Sequence, residues 1–146
     1  MRWPWQRPNT ARRTARQETG AAGERAAERF LRKNGYRILA RNVSYRQGEV
    51  DLVALEKASG TVCFVEVRSR ALEDGLEPAI TPEETVTPAK RRRVIRAALV
   101  FLKERGVSAD RAVRFDVIAV RFAGDDRRRP DVRHLPGAFD STGQAI

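Results

Sequence analysis

The sequence predicts a mixed α/β domain, a hairpin-rich sheet covered by two helices. Three observations carry this prediction. Apolar residues recur at helical spacing in two stretches, about 21–34 and 88–104. Val-rich strand-like runs fill 36–45, 49–55, 62–68 and 113–122. The chain has 146 residues, 41% hydrophobic and 33% charged, which supplies one modest core and excludes wholesale disorder.

Taken in order, residues 1–19 read as a basic disordered arm. Arg2, Arg7, Arg12, Arg13 and Arg16 stand there against one acid, Glu18, with Pro4 and Pro8 between them. Trp3 and Trp5 lie beside arginines, a composition able to stack on bases. The α/β domain is expected over 20–123. Its first helix places Ala22, Ala26 and Phe30 in one row with Ala27 and Leu31 beside it. Thr19 is the expected N-cap and Gly35 the stop. A strand follows to Tyr45, and Gly48 marks a turn. The runs Glu49–Leu55 and Val62–Arg68 form a hairpin around Gly60.

The long connection 70–87, with Gly75, Pro78 and Pro82, is expected to be a functional flap. Thr87-Pro88 opens the second helix as N-cap and first helical residue. That helix is expected to bury Val94, Ile95, Ala98, Leu99, Phe101 and Leu102 and to end at Gly106. A fourth strand covers Val113–Phe122. Residues 124–146 read as a tail, mostly loop, with Leu135 and Phe139 docking back and His134 at the surface.

Composition narrows the function classes. The net charge is +10 and the pI about 11.0, which suits a polyanionic partner. Arg supplies most of that charge, and its planar fork grips phosphate bidentately. One cysteine, Cys63, excludes an intramolecular disulfide and a Cys-rich zinc site. No apolar run is long enough to span a bilayer, and the basic N-terminus lacks the apolar core of a signal peptide. A cytoplasmic protein without membrane partners is expected.

The chemistry concentrates in Gly48-Glu49-Val50-Asp51-Leu52-Val53 and Phe64-Val65-Glu66-Val67-Arg68. Strand side chains alternate, so Glu49, Asp51 and Val53 share a face, as do Phe64, Glu66 and Arg68. Closing the hairpin with Leu55 facing Val62 sets Asp51 opposite Glu66 and Glu49 opposite Arg68. Directly opposed Cβ atoms lie about 4.5–5.5 Å apart, where like charges destabilise. A divalent ion such as Mg²⁺ would compensate, since it takes carboxylate oxygens and keeps several waters. A slip of two residues would instead set Asp51 opposite Phe64 or Arg68. The competing reading is a solvated face whose acids pair with nearby arginines, with Glu49 and Arg68 a cross-strand ion pair. Asp116, between Phe115 and Val117, reads as a core carboxylate paired to Arg or hydrogen-bonded.

These motifs resemble a known family. Gly23-Glu24, Gly35-Tyr36-Arg37-Ile38-Leu39-Ala40-Arg41-Asn42, the two acidic strands, Val86-Thr87-Pro88-Ala89-Lys90 and Arg114-Phe115-Asp116-Val117 all resemble the bacterial YraN-like family. That family is similar to archaeal Holliday-junction resolvases and to PD-(D/E)xK nucleases. The resemblance covers about residues 20–140 and implies a restriction-endonuclease-like mixed sheet in the order α-β-β-β-α-β. It implies that Asp51 and Glu66 are metal ligands for Mg²⁺ or Mn²⁺, with Glu24 completing the acid set. It sets Arg68 where the motif carries Lys. Arg stays protonated and cannot act as a general base, but it can hold a phosphate. Lys90 could supply an ammonium from the second helix.

Lys90, Arg91, Arg92, Arg93 and Arg96 crowd the start of that helix and repel one another. A phosphate backbone, DNA or else RNA, would offset the repulsion. The expected function is a metal-dependent endonuclease-like protein acting on structured or branched DNA. Two other readings stay open: a nucleic-acid-binding module with little catalysis, and a basic interaction protein for an acidic partner or RNA. A homodimer is a further open expectation.

Overall fold

Helix α1 (Ala15–Lys33) buries Ala22, Ala26, Ala27 and Leu31, the stripe that helical spacing predicts. The computed structural model describes residues 15–72, 86–123 and 129–145. The helix begins at Ala15, so residues 15–19 belong to it and not to an arm. Ala15, Arg16, Gln17 and Glu18 include no helix breaker, and Glu18 favours the positive end of the helix dipole. Thr19 is therefore an interior residue. Residues 1–14, including Trp3 and Trp5, lie outside the described residues.

Four strands match the expected runs closely: β1 (Tyr36–Ser44), β2 (Glu49–Glu56), β3 (Thr61–Leu72) and β4 (Val113–Ala123). Helix α2 (Pro88–Glu104) connects β3 to β4, which pair in parallel and therefore need a crossover. A further strand, β5 (Asp131–Phe139), follows. The sheet order is β1-β2-β3-β4-β5, antiparallel except at β3–β4. This is a mixed α/β domain with a five-stranded open sheet and a helix on each face.

Alternation sorts the core into two layers. Leu52, Ala54, Cys63, Val65, Val67, Ile118, Val120 and Phe122 pack with α1. Val53, Val62, Phe64, Phe115 and Val117 pack with Val94, Ala97, Ala98 and Phe101 of α2. Cys63 thus lies opposite Phe64, as strand geometry requires. Leu99 departs from expectation at 63% exposure. It continues the Arg92–Arg96 row, the face of α2 that points away from the sheet. Most of the long connection, residues 73–85, lies outside the described residues, as do Arg127 and Arg128.

Strand β5 corrects the reading of the C-terminal segment as loop. Pro136-Gly137 and three ionisable residues mask its period, yet an edge strand tolerates proline. Its register against β4 shifts between Phe115 and Val117. Asp116, fully buried, organises that shift. Its carboxylate accepts from Arg114 at 2.8 and 2.9 Å, from His134 Nε2 at 2.9 Å and from the Gly137 amide at 3.0 Å. His134 is therefore no surface residue: its side chain is 9% exposed, with Phe30 and Tyr36 edge-on to its ring. Among the described residues no helix is long and apolar enough to cross a membrane.

Burial pulls the Asp116 carboxyl up, but hydrogen bonds from His134, Arg114 and Gly137 outweigh it and hold the group below its ordinary value. Asp116→Ala should cost about 1–3 kcal/mol of unfolding free energy at neutral pH, because it removes the buried acceptor shared by Arg114, His134 and the Gly137 amide. A carboxylate with a depressed folded pKa stabilises above the unfolded value. The stability gap in denaturant titrations should therefore hold from pH 5 to 7. It should narrow as pH falls from about 3.9 through the lower folded value.

Candidate metal and phosphate site

Strands β2 and β3 pair regularly from Glu56↔Thr61 to Leu52↔Val65, the register that follows from Leu55 facing Val62. One step further the ladder changes. The Val67 amide donates to Asp51 Oδ2 at 2.8 Å, so a side chain takes the place of a strand carbonyl. Alternation also breaks here: Val53 packs toward α2, yet so does Val50, which strict alternation would send to the other face.

The Asp51 and Glu66 carboxyls lie within hydrogen-bonding reach of each other. Glu66 is 2% exposed, and its Oε2 is buried with no hydrogen-bond partner. Burial raises both acids. It pushes Glu66, with help from the Asp51 charge, up to about 8. The Val67 amide restrains the rise at Asp51.

Helix α2 delivers the counter-charge. Thr87 caps it, with Oγ1 accepting from the Lys90 amide at 3.2 Å, and Pro88 opens the first turn. Lys90 Nζ then reaches Glu49 Oε1 at 3.1 Å and Glu66 Oε1 at 3.5 Å. Burial pulls the Lys90 ammonium down, but Glu66 and Glu49 outweigh it, so its pKa rises and it stays charged. The Lys90 hydrogen bond holds the Glu49 carboxyl below its ordinary value.

Two glycines set the approach of the helices. A Cβ on Gly48 would meet the Arg93 carbonyl oxygen at 1.9 Å, so the β1–β2 turn lies directly against α2. This turns Glu49 toward Lys90 and also Arg93, 3.5 Å away. The β2–β3 register ends at Leu52, and Glu49 makes these contacts with α2 where a cross-strand pair with Arg68 is expected from the sequence. A Cβ on Gly23 would meet Ser69 Oγ at 1.9 Å, so α1 lies directly on β3. The next residue, Glu24, is brought close enough to Asp51 for its carboxyl to be raised, first by burial and then by that charge.

The structure does not gather all three acids. Among the described residues no group of three His, Cys, Asp or Glu side chains is arranged to hold an ion. Glu24 arrives from the opposite face, where it lines a cavity with Asn42 and Leu52. Asn42 escaped the sequence reading, where it was one polar residue in a strand. Arg68 is half-buried beside Glu66 and lines a cavity of about 470 Å³ with Thr19, Gly20, Ser69 and Arg70. Arg92, Arg93 and Arg96 are exposed on α2. Arg91 instead turns to the C-terminal segment, donating to the Gly143 carbonyl at 3.3 Å and lying over Phe139.

The glycine packing is testable on one helix. At Gly20 a Cβ would have nothing within 4 Å, whereas at Gly23 it collides with Ser69. Gly20→Ala should raise stability by about 0.8–1 kcal/mol through helix propensity. Gly23→Ala should lower it by about 1–3 kcal/mol through overpacking. Thermal or denaturant unfolding of the two variants checks the opposite signs.

Comparison with known proteins adds a family. The model of the uncharacterised protein family UPF0102 matches residues 23–120, a span that starts at Gly23 and includes every acid of the site. A UPF0102 protein of Anaeromyxobacter dehalogenans is 46% identical over 129 residues, covering 88% of this chain and 89% of the relative. One from Myxococcus xanthus is 44% identical over 126 residues, covering 86% and 92%. One from Symbiobacterium thermophilum is 45% identical over 120 residues, covering 82% and 94%. These matches agree with the YraN-like resemblance of the motifs: the chain belongs to the UPF0102 family.

Proposed function

We propose that this chain is a metal-dependent phosphodiesterase of the PD-(D/E)xK type, acting on structured or branched DNA. The observation that supports it most is the buried Glu66 carboxyl, its Oε2 without a hydrogen-bond partner, beside half-buried Asp51. Two acids so placed repel and are partly desolvated, and a hard cation fits them. Mg²⁺ binds through one or two carboxylates while keeping waters for substrate phosphate, so two acids suffice.

Asp51 and Glu66 would hold Mg²⁺ or Mn²⁺, with Glu24 acting from the neighbouring face. When bound, such an ion polarises the phosphodiester and lowers the pKa of attacking water. The protein's own residues do the rest. The Val67 amide fixes the Asp51 carboxylate. Lys90, held charged by Glu49 and Glu66, would stabilise the developing negative charge on phosphate. It would supply the ammonium that the motif Lys supplies; held charged, it acts as a base no more than Arg68 does. Arg68 would instead clamp a phosphate oxygen. Arg92, Arg93 and Arg96 form an exposed basic stripe on the first half of α2, where like charges at i, i+3 and i, i+4 repel unless an anion is present. They would track the nucleic-acid backbone without reading bases.

One observation favours a second reading, a binding module with little catalysis. The Lys90 ammonium reaches Glu66 Oε1 at 3.5 Å and offsets part of the acids' charge. Cleavage separates the two. A panel of linear, flapped and four-way-junction DNAs is incubated with Mn²⁺. The nuclease reading predicts cleavage of branched substrates that Asp51→Ala reduces at least about 100-fold. Arg92→Ala/Arg96→Ala should raise KM with kcat little changed. Tight DNA binding with no Mn²⁺-dependent cleavage would establish the binding module instead.

A further inference from the structure

Four arginines fall into register across three strands. In the parallel pair β3–β4, Arg70 lies beside Arg121 and Arg68 beside Ala119. In β5, Arg133 lies beside Ala119 and Asp131 beside Arg121. Alternation sets all four arginines on the α2 side of the sheet, since Phe64, Phe115, Val117 and Leu135 of the same rows belong to the layer that packs with α2. The helix begins beside Glu66 and runs back toward Phe64. Lys90 in its first turn is 3.5 Å from Glu66, and Phe101 packs edge-on to Phe64. Arg68 and Arg70 therefore lie further along β3, past the start of α2. Arg70 and Arg133 are exposed, and Arg68 and Arg121 are half-buried.

Like charges side by side across a ladder destabilise it, and Arg70 stands beside Arg121. Asp131 and Glu66 are the acids of these rows, and the four arginines outnumber them. Open α/β sheets take their ligands at the carboxyl ends of parallel strands, and Arg70 and Arg121 each stand two residues before the end of theirs. From register, exposure and charge together, we infer that Arg70, Arg121 and Arg133 extend the Arg68 contact into a surface for the phosphate backbone of duplex DNA. Arg70 is four residues beyond Glu66, about 13 Å away along the strand. Duplex DNA rises about 3.4 Å per base pair, so the surface reaches phosphates about four base pairs from one held at Glu66. Arginine forks grip those oxygens bidentately and read no base. The inference rests on the nucleic-acid reading proposed above and names the surface that one duplex arm of the substrate occupies.

Fluorescence anisotropy with a four-way-junction DNA, in metal-free buffer over a range of salt, tests it. Arg70→Gln/Arg133→Gln should flatten the slope of log K against log salt by about 1.8, the loss of two phosphate contacts. Arg70→Lys/Arg133→Lys keeps the charges and should keep the slope, which separates lost contacts from lost folding. Arg29→Gln/Lys33→Gln removes the same charge from exposed positions on α1, across the sheet, and should leave the slope unchanged. A wild-type slope in Arg70→Gln/Arg133→Gln, or an equal flattening in the α1 variant, would overturn the proposal and leave the arginines as charges that guard a sheet edge.

Binding is read here without cleavage, so the two readings fail separately. A flattened slope in a protein that cuts no DNA with Mn²⁺ keeps the surface and overturns the nuclease. An unchanged slope beside Mn²⁺-dependent cleavage overturns the surface and keeps the nuclease. A wild type that binds no DNA overturns both.

Discussion

The hydrogen bond from the Val67 amide to the Asp51 carboxylate is the contact on which this architecture turns. Within a regular ladder that amide would bind a strand carbonyl. The β2–β3 register ends at Leu52↔Val65, and beyond it Asp51 holds the Val67 amide through its side chain. Gly23 lets α1 settle on β3 and brings Glu24; Gly48 lets the β1–β2 turn settle on α2 and brings Glu49. Each glycine precedes an acid, so close packing and acid placement are one feature of the chain.

Electrostatics then explains a contrast in the molecule. A chain of net charge +10 carries a buried carboxyl, Glu66, beside the half-buried Asp51. Removing both from water costs several kcal/mol per ion, more than one half-buried ammonium returns. The raised acids record that imbalance. At the other side of the sheet the balance is reversed. Asp116 collects Arg114, His134 and a backbone amide, so its ionised form is stabilised by folding. One buried acid is satisfied and structural. The other two are left short of partners, which is the signature of a site that acts on something external.

Much of this was legible in the sequence because it rests on local rules. Period and punctuation placed four strands and two helices, and the Leu55–Val62 closure fixed the β2–β3 register down to Leu52. Lys90 was named from the sequence as a source of an ammonium on the second helix, and its 3.5 Å approach to Glu66 is a tertiary contact. What stayed hidden depends on tertiary contacts. Strand β5 carries Pro136-Gly137, and only its pairing with β4 and the Asp116 carboxylate make it a strand. Glu49 turns to α2 and not across the hairpin because of a backbone contact at Gly48 that no local pattern encodes. Leu99 fits the apolar row by type but lies on the outer face. Asn42 takes a φ of +47° within β1, and a φ is not written in residue type.

The central claim is that Asp51 and Glu66 form a divalent-cation site, and calorimetric titration of the purified protein with Mn²⁺ tests it most directly. The account predicts saturable binding by the wild type, with a melting temperature that rises with added Mn²⁺. It predicts neither effect in Asp51→Ala/Glu66→Ala, whose metal-free stability is no lower than that of the wild type because the repelling charges are gone. A wild type that takes up no Mn²⁺, together with a double variant that melts far lower, would contradict the account and make the pair a structural element of the core.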